Sequence, residues 1–122
     1  MVRTENIGKE GEQLAREYLI KNGYAILETN WRRGKNEADI IAYMEGVIVF
    51  VEVKTRSSVE HGQPEEFVDR YKQRAYIHLA NSYVIEQQRD EEVRFDIIAI
   101  EMAGTEIKIN HIENAFCAVD VH

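Results

Sequence analysis

The segment Asn36-Glu37-Ala38-Asp39-Ile40-Ile41-Ala42-Tyr43-Met44-Glu45-Gly46-Val47-Ile48-Val49-Phe50-Val51-Glu52-Val53-Lys54-Thr55-Arg56 decides the fold. Two apolar runs rich in β-branched residues flank Glu45-Gly46, so the spacing predicts a hairpin with strands over 38–44 and 47–55. The run Val47 to Val51 is apolar at every position. That suits a central strand covered on both faces. Glu52 and Lys54 then break the apolar pattern, two residues apart and so on one face. An isolated carboxylate and ammonium in a buried strand would cost desolvation energy, which points to a strand end that opens into a polar site. Asp39 and Glu52 lie seven residues before and six after Gly46, so antiparallel pairing sets them side by side.

Outward from the hairpin the chain reads as helix, three strands, helix, two strands. A first helix is expected over 6–21, stopped at Asn22-Gly23. A strand over 24–30 follows, then a basic turn from Trp31 to Asn36. A polar loop spans 56–63. Pro64 suits the first position of a second helix, with Glu65 and Glu66 in its first turn. That helix is expected to reach about Gln88 and to carry Phe67, Val68, Tyr71, Ala75, Leu79 and Tyr83. Strands over 93–102 and 106–111 close the pattern. The long helix allows the strands it joins to be parallel. The fold class is therefore α/β, a mixed sheet flanked by helices in the order α-β-β-β-α-β-β, and residues 1–122 form a single domain. The apolar tail Ala115-Phe116-Cys117-Ala118-Val119 can cover the core or supply an interface.

Composition narrows the function. Lys and Arg number 15 against 22 Asp and Glu, a formal charge of -7, which argues against a uniformly basic nucleic-acid coat but not against a local basic face. No apolar run approaches the ~20 residues that span a bilayer, so no membrane partner is expected. The start of the chain is polar, without the pattern of a signal peptide. One cysteine, Cys117, gives no disulfide and no cysteine cage for zinc. A reducing, cytoplasmic setting is expected.

Adjacent carboxylates repel unless a cation or a proton lies between them. Hard oxygen donors without His or Cys suit Mg²⁺ or Mn²⁺ rather than Zn²⁺. Lys54 beside them is placed to orient an attacking water and to stabilise charge on a phosphate. These residue types suit phosphodiester hydrolysis. The bare spacing recurs at Asp96-Ile97-Ile98-Ala99 with Glu106-Ile107-Lys108, but only the first copy is framed by Arg32, Arg33 and Lys35 before it and by Arg56, Arg70, Lys72 and Arg74 after it. The second reads as an exposed edge strand. Asp96 either pairs with Arg94 or approaches the site from the fourth strand.

With these residues in view, the segment from Asn36 through Phe50-Val51-Glu52-Val53-Lys54-Thr55-Arg56 resembles the active-site hairpin of the PD-(D/E)XK, or restriction-endonuclease-like, superfamily. More narrowly, nearly the whole chain is similar to the small bacterial YraN-like proteins, which resemble archaeal Holliday junction resolvases. Gly8 to Glu12, Asn30-Trp31-Arg32, Val68, Lys72, Ala75 and Arg94-Phe95-Asp96 share in the likeness. Two residues depart from it: Asn36 stands where Gly is usual and is expected to accept a left-handed backbone, and Ala38 replaces a larger aliphatic residue.

The resemblance implies a Mg²⁺- or Mn²⁺-dependent endonuclease acting on DNA, with branched or otherwise structured DNA favoured and a homodimer expected. Asp39, Glu52 and the Val53 carbonyl would ligate the metal, and Lys54 would be catalytic. Glu12 would approach the same metal site, and Glu37 would support its ligands or hold a second metal, so that four carboxylates converge on cations. Arg32, Arg33, Lys35, Arg56 and Lys72 would contact the nucleic acid. His61 is expected as an exposed loop residue and Trp31 as a core or rim aromatic. The rival reading is a nuclease fold that binds nucleic acid or a protein without cutting.

Overall fold

The computed structural model describes residues 7–57 and 68–118. Its elements are α1 (Ile7–Lys21), β1 (Ala25–Arg33), β2 (Asn36–Met44), β3 (Val47–Arg56), α2 (Arg70–Glu86), β4 (Glu92–Ala103) and β5 (Glu106–Phe116). The strands form one sheet in the order β1-β2-β3-β4-β5. Three neighbours pair antiparallel, and β3 and β4, joined through α2, run parallel. The mixed α/β architecture expected from the element order is thus present. No helix among the described residues is long and apolar enough to cross a membrane.

Alternation along β3 explains its unbroken apolar run. Ile48 and Phe50 face α2, where they pack with Tyr76, Leu79, Tyr83 and Phe95. Val49 and Val51 face α1, where they pack with Ala15, Leu19, Ile98 and Ile100. Each such buried side chain contributes ~1.5–3 kcal/mol, so β3 is held from both sides. The β2–β3 turn places Glu45 at φ 47° and Gly46 at φ 85°, two consecutive positive angles that suit the twist of a two-residue hairpin.

Several boundaries differ from expectation. β1 continues through Arg33, so Arg32 and Arg33 stand on a strand, paired with Glu37 and Asn36; the turn itself is only Gly34-Lys35. Gly34 takes the left-handed backbone there (φ 61°), and Asn36 does not. α2 begins at Arg70, where the Asp69 side chain caps it by accepting from the Lys72 N–H at 2.9 Å. A helix continuous from Pro64 is excluded, because Val68 precedes that cap. Pro64, Glu65, Glu66, Phe67 and His61 lie outside the described residues, as do Asn6 and Val119. The buried face of α2 is Tyr76, Leu79, Ala80 and Tyr83; Tyr71, expected there, is 69% exposed. β5 runs five residues past the expected His111 to Phe116, whose ring stacks on Phe95 with centroids 5.0 Å apart. The start of the apolar tail therefore covers the core.

Candidate metal and phosphate site

The β2–β3 ladder pairs Ile40 with Val51, and one step further sets Asp39 against Glu52. The two carboxyl groups meet at the end of the apolar part of the hairpin. Asp39 Oδ2 accepts from the Val53 N–H at 2.8 Å, which ties it to the neighbouring strand. Glu52 is 4% exposed, one of two buried charged residues among those described. Its Oε1 accepts from the Tyr76 hydroxyl at 2.6 Å. Its Oε2 lies 3.5 Å from Lys54 Nζ and 3.4 Å from Lys72 Nζ. A buried carboxylate is thereby paired and hydrogen-bonded, which is the condition for its survival there.

Among the described residues, Asp39 has no such cation. Burial and then the charge of Glu52 push its carboxyl up to about 8, against the Val53 N–H that favours the ionised form; Glu12 adds to the rise. Two adjacent carboxyl groups of which one holds a proton are the expected state without a metal. The donors are hard oxygens, and Mg²⁺ often takes only one or two carboxylates from the protein, completing its shell with water and phosphate. The pair Asp39 and Glu52 fits such an ion on the chemistry of its donors.

The four-carboxylate convergence is not what the fold builds. Among the described residues, no group of three or more His, Cys, Asp or Glu side chains is arranged to hold a metal ion. Glu12 Oε1 instead accepts from Asn30 Nδ2 at 3.1 Å, although its charge still reaches Asp39. Glu37 pairs with Arg32 at 3.3 Å. Register explains both. Glu37 stands opposite Arg32 on the β1–β2 ladder, and Glu12 approaches from the other layer, on α1.

The basic residues divide. Lys35, Glu37, Asp39, Tyr71, Lys72 and Tyr76 line a groove of about 280 Å³ between the β1–β2 turn and the start of α2. Arg32 is mostly exposed beside it. Arg56 ends β3 opposite Glu101 of β4. Arg33 turns away. It grips Glu86 at the end of α2, with Nε 2.9 Å from Oε2, and covers the Trp31 ring at 4.0 Å. Trp31 itself is 8% exposed and packs edge-on against Tyr83, a core aromatic.

Asp96 belongs to a separate cluster on the α1 side of the sheet. It accepts from Arg94 through both oxygens at 2.9 and 2.8 Å, is 2.7 Å from His111 Nε2, and accepts from the Asn114 N–H at 2.9 Å. The β4–β5 register shifts at this point, so the Asp96 carboxylate takes up a backbone donor that the ladder leaves over. The pairing with Arg94 holds, and the approach to the site does not. Glu106 and Lys108 lie exposed on the edge strand β5, as expected.

Tyr76 was not legible as part of the site. Its one signal is helical spacing with Leu79, Ala80 and Tyr83, which marks a buried face but not a hydroxyl aimed at Glu52.

The profile described as "Uncharacterised protein family UPF0102" matches residues 11–100, a range that includes Glu12, Asp39, Glu52, Lys54, Lys72 and Tyr76. A UPF0102 protein of Flavobacterium psychrophilum is 49% identical over 116 residues, covering 95% of this chain and 98% of its own. One of Christiangramia forsetii is 48% identical over 118 residues, with 95% and 98% covered. One of Alkaliphilus oremlandii is 44% identical over 115 residues, with 92% and 98% covered.

Proposed function

The chain belongs to the uncharacterised protein family UPF0102, and from that premise we propose that it is a divalent-metal-dependent phosphodiesterase of the PD-(D/E)XK type acting on DNA. The observation that carries the reading is the Glu52 carboxylate. It stands beside Asp39 across the hairpin and holds two ammonium groups, Lys54 and Lys72, on one oxygen.

Asp39 and Glu52 would hold Mg²⁺ or Mn²⁺, which when bound neutralises charge on the phosphate and makes water a better nucleophile. The chain's own groups do the rest. Tyr76 fixes Glu52 Oε1, so that Oε2 faces the open side. Lys54 and Lys72 together carry more charge than Glu52 cancels, leaving positive charge for a phosphate oxygen. Lys54, on the same strand face as Glu52, orients the attacking water and stabilises negative charge as the P–O ester bond breaks. Lys35 on the opposite wall of the groove and Arg32 beside it contact flanking phosphates. Arg33, clamped to Glu86, is left out of this set. A branched or otherwise structured DNA substrate rests on the likeness to resolvases alone.

The test is incubation of pure protein with labelled four-way junction, flap and linear DNA, with Mg²⁺, Mn²⁺ or EDTA. Metal-dependent cleavage lost in Glu52→Ala and Lys54→Ala supports the reading; unchanged cleavage in both variants overturns the site.

One observation favours the rival of a non-catalytic module. Both oxygens of Glu52 already have partners within the protein, as in a structural ion pair. In that case Glu52→Ala leaves two lysines unpaired and destabilises the fold in metal-free buffer. The phosphodiesterase reading expects stability kept or raised there, because Lys54 and Lys72 are partly exposed and water takes up their ammonium groups once Glu52 is gone.

A further inference from the structure

The groove beside Asp39 has an aromatic rim that phosphate chemistry does not use. Tyr71 stands one residue before Lys72 on the first turn of α2, and its side chain lines the same groove as Lys35 and Asp39. It is 69% exposed, although its helix has a well-filled buried face one turn further on at Tyr76. The other large exposed apolar residues among those described, Ile20, Ile85 and Ile107, do not line this groove. An aromatic ring kept in water at the mouth of a groove that carries Lys35 and Lys72 among Glu37 and Asp39 is suited to a ligand with a flat face.

Resting on the phosphodiesterase reading of the site, we propose that Tyr71 is a stacking platform for an unpaired nucleobase next to the phosphate that Lys54 and Lys72 would bind beside Asp39 and Glu52. A base inside a duplex has both faces covered by its neighbours and offers only its edges to a protein. A ring at the groove mouth therefore gains nothing from intact duplex. It gains from a strand whose base has left the stack, and it does so for any base, since every base has a π-face. Lys35 on one wall and Lys72 on the other supply the charge that follows the backbone of such a strand. The substrate class is thus nucleic acid with a single-stranded or unstacked nucleotide where it meets the protein.

The experiment measures binding of a fluorescein-labelled oligothymidylate, a single strand carrying 2-aminopurine, and a blunt, fully paired duplex. It is run in Ca²⁺ at low salt, with wild type, Tyr71→Phe and Tyr71→Ala. The expected result is tighter binding of single strand than of duplex and a change in 2-aminopurine fluorescence on binding. Tyr71→Ala should lose roughly tenfold in single-strand affinity and the fluorescence change, with duplex affinity unmoved, while Tyr71→Phe keeps both. Equal single-strand binding by wild type and Tyr71→Ala overturns the platform and leaves the phosphodiesterase reading standing. Preference of wild type for the blunt duplex overturns it too. Failure of wild type to bind any of the three overturns both the platform and the nucleic-acid reading beneath it.

Discussion

The phenol of Tyr76 on α2 donates to Glu52 Oε1 on β3 at 2.6 Å, and the phenol oxygen itself accepts from the Asp39 N–H at 3.2 Å. One buried hydroxyl therefore joins both carboxylate-bearing residues to the helix that carries Lys72. Burial, with the charges of Asp39 and Glu52 added, pushes this phenol well above its ordinary range, so it remains a donor across any practical pH. Tyr76→Phe keeps the ring in the core but leaves a backbone N–H and a carboxylate oxygen short of a partner. The expected loss of stability in urea is ~1–3 kcal/mol. Mn²⁺ affinity, read by the quenching of free Mn²⁺ electron paramagnetic resonance, should fall as well. A midpoint and an affinity both equal to wild type would remove Tyr76 from the site.

The Asp39 carboxyl, raised from 3.8 to about 8 chiefly by burial and the charge of Glu52, makes stability depend on pH in the opposite sense to most carboxylates. The folded protein holds this proton more tightly than the unfolded chain. The contribution is full below about pH 4 and is lost as pH rises through about 8. Metal-free protein should lose stability from this group progressively between pH 5 and pH 9, by up to about 1.4 kcal/mol per pH unit below the folded value. Asp39→Asn should flatten that slope, and Mg²⁺ should raise Tm more at pH 8 than at pH 5, because the ion competes with the proton. Denaturation curves at pH 5, 8 and 9 check all three.

Asp96 gives the complementary limit. Burial pushes its carboxyl up, but His111, Arg94 and the Asn114 N–H outweigh that and hold it below the ordinary range. A lowered group contributes stability above its unfolded value and loses it as pH falls. Asp96 therefore weakens the fold on the acid side, and Asp39 on the alkaline side. Asp96→Ala leaves the partly buried Arg94 guanidinium with the Tyr24 hydroxyl and the exposed Glu113 as its remaining partners, and frees a backbone donor at Asn114. Its expected cost is ~3–5 kcal/mol, with loss of much of the acid dependence below pH 4. A cost under about 1 kcal/mol would mean the cluster is only a surface ion pair.

The hairpin was readable because its two signals agree. Glu45-Gly46 sets the turn, and period-two alternation sets which face each residue takes, so the Asp39 and Glu52 pairing followed by counting. The parallel β3–β4 pair followed likewise from the helix between them. What could not be counted was partner choice. Nothing in the order of residues says that Glu37 turns to Arg32, that Arg33 reaches Glu86 some fifty residues on, or that Glu12 finds Asn30. Long charged side chains select among neighbours that only the assembled layers supply. Tyr71 and Tyr76 show the same limit on one helix. Both fit an apolar stripe, and the start of α2 at Asp69 decides which one faces the sheet.

Gly11 on α1 carries the last prediction. A Cβ at this position would overlap the side chain of Thr55 on β3, so α1 seats against the strand only because glycine stands there. Glycine costs a helix interior ~1 kcal/mol relative to alanine, and close approach is the compensating gain. That seat lies beside Glu12, whose bond to Asn30 and whose charge near Asp39 depend on it. Gly11→Ala should therefore destabilise by ~1–3 kcal/mol through overpacking, despite its better helix propensity. Thr55→Ala removes the hydroxyl that the new Cβ would meet first, and the methyl, while keeping the Thr55 Cβ. The double variant should then be at least ~1 kcal/mol more stable than the sum of the two single changes implies. Strict additivity in that cycle would show that the helix does not rest on this contact. A stabilised Gly11→Ala would show that the glycine is there for some reason other than the close approach of α1 to β3.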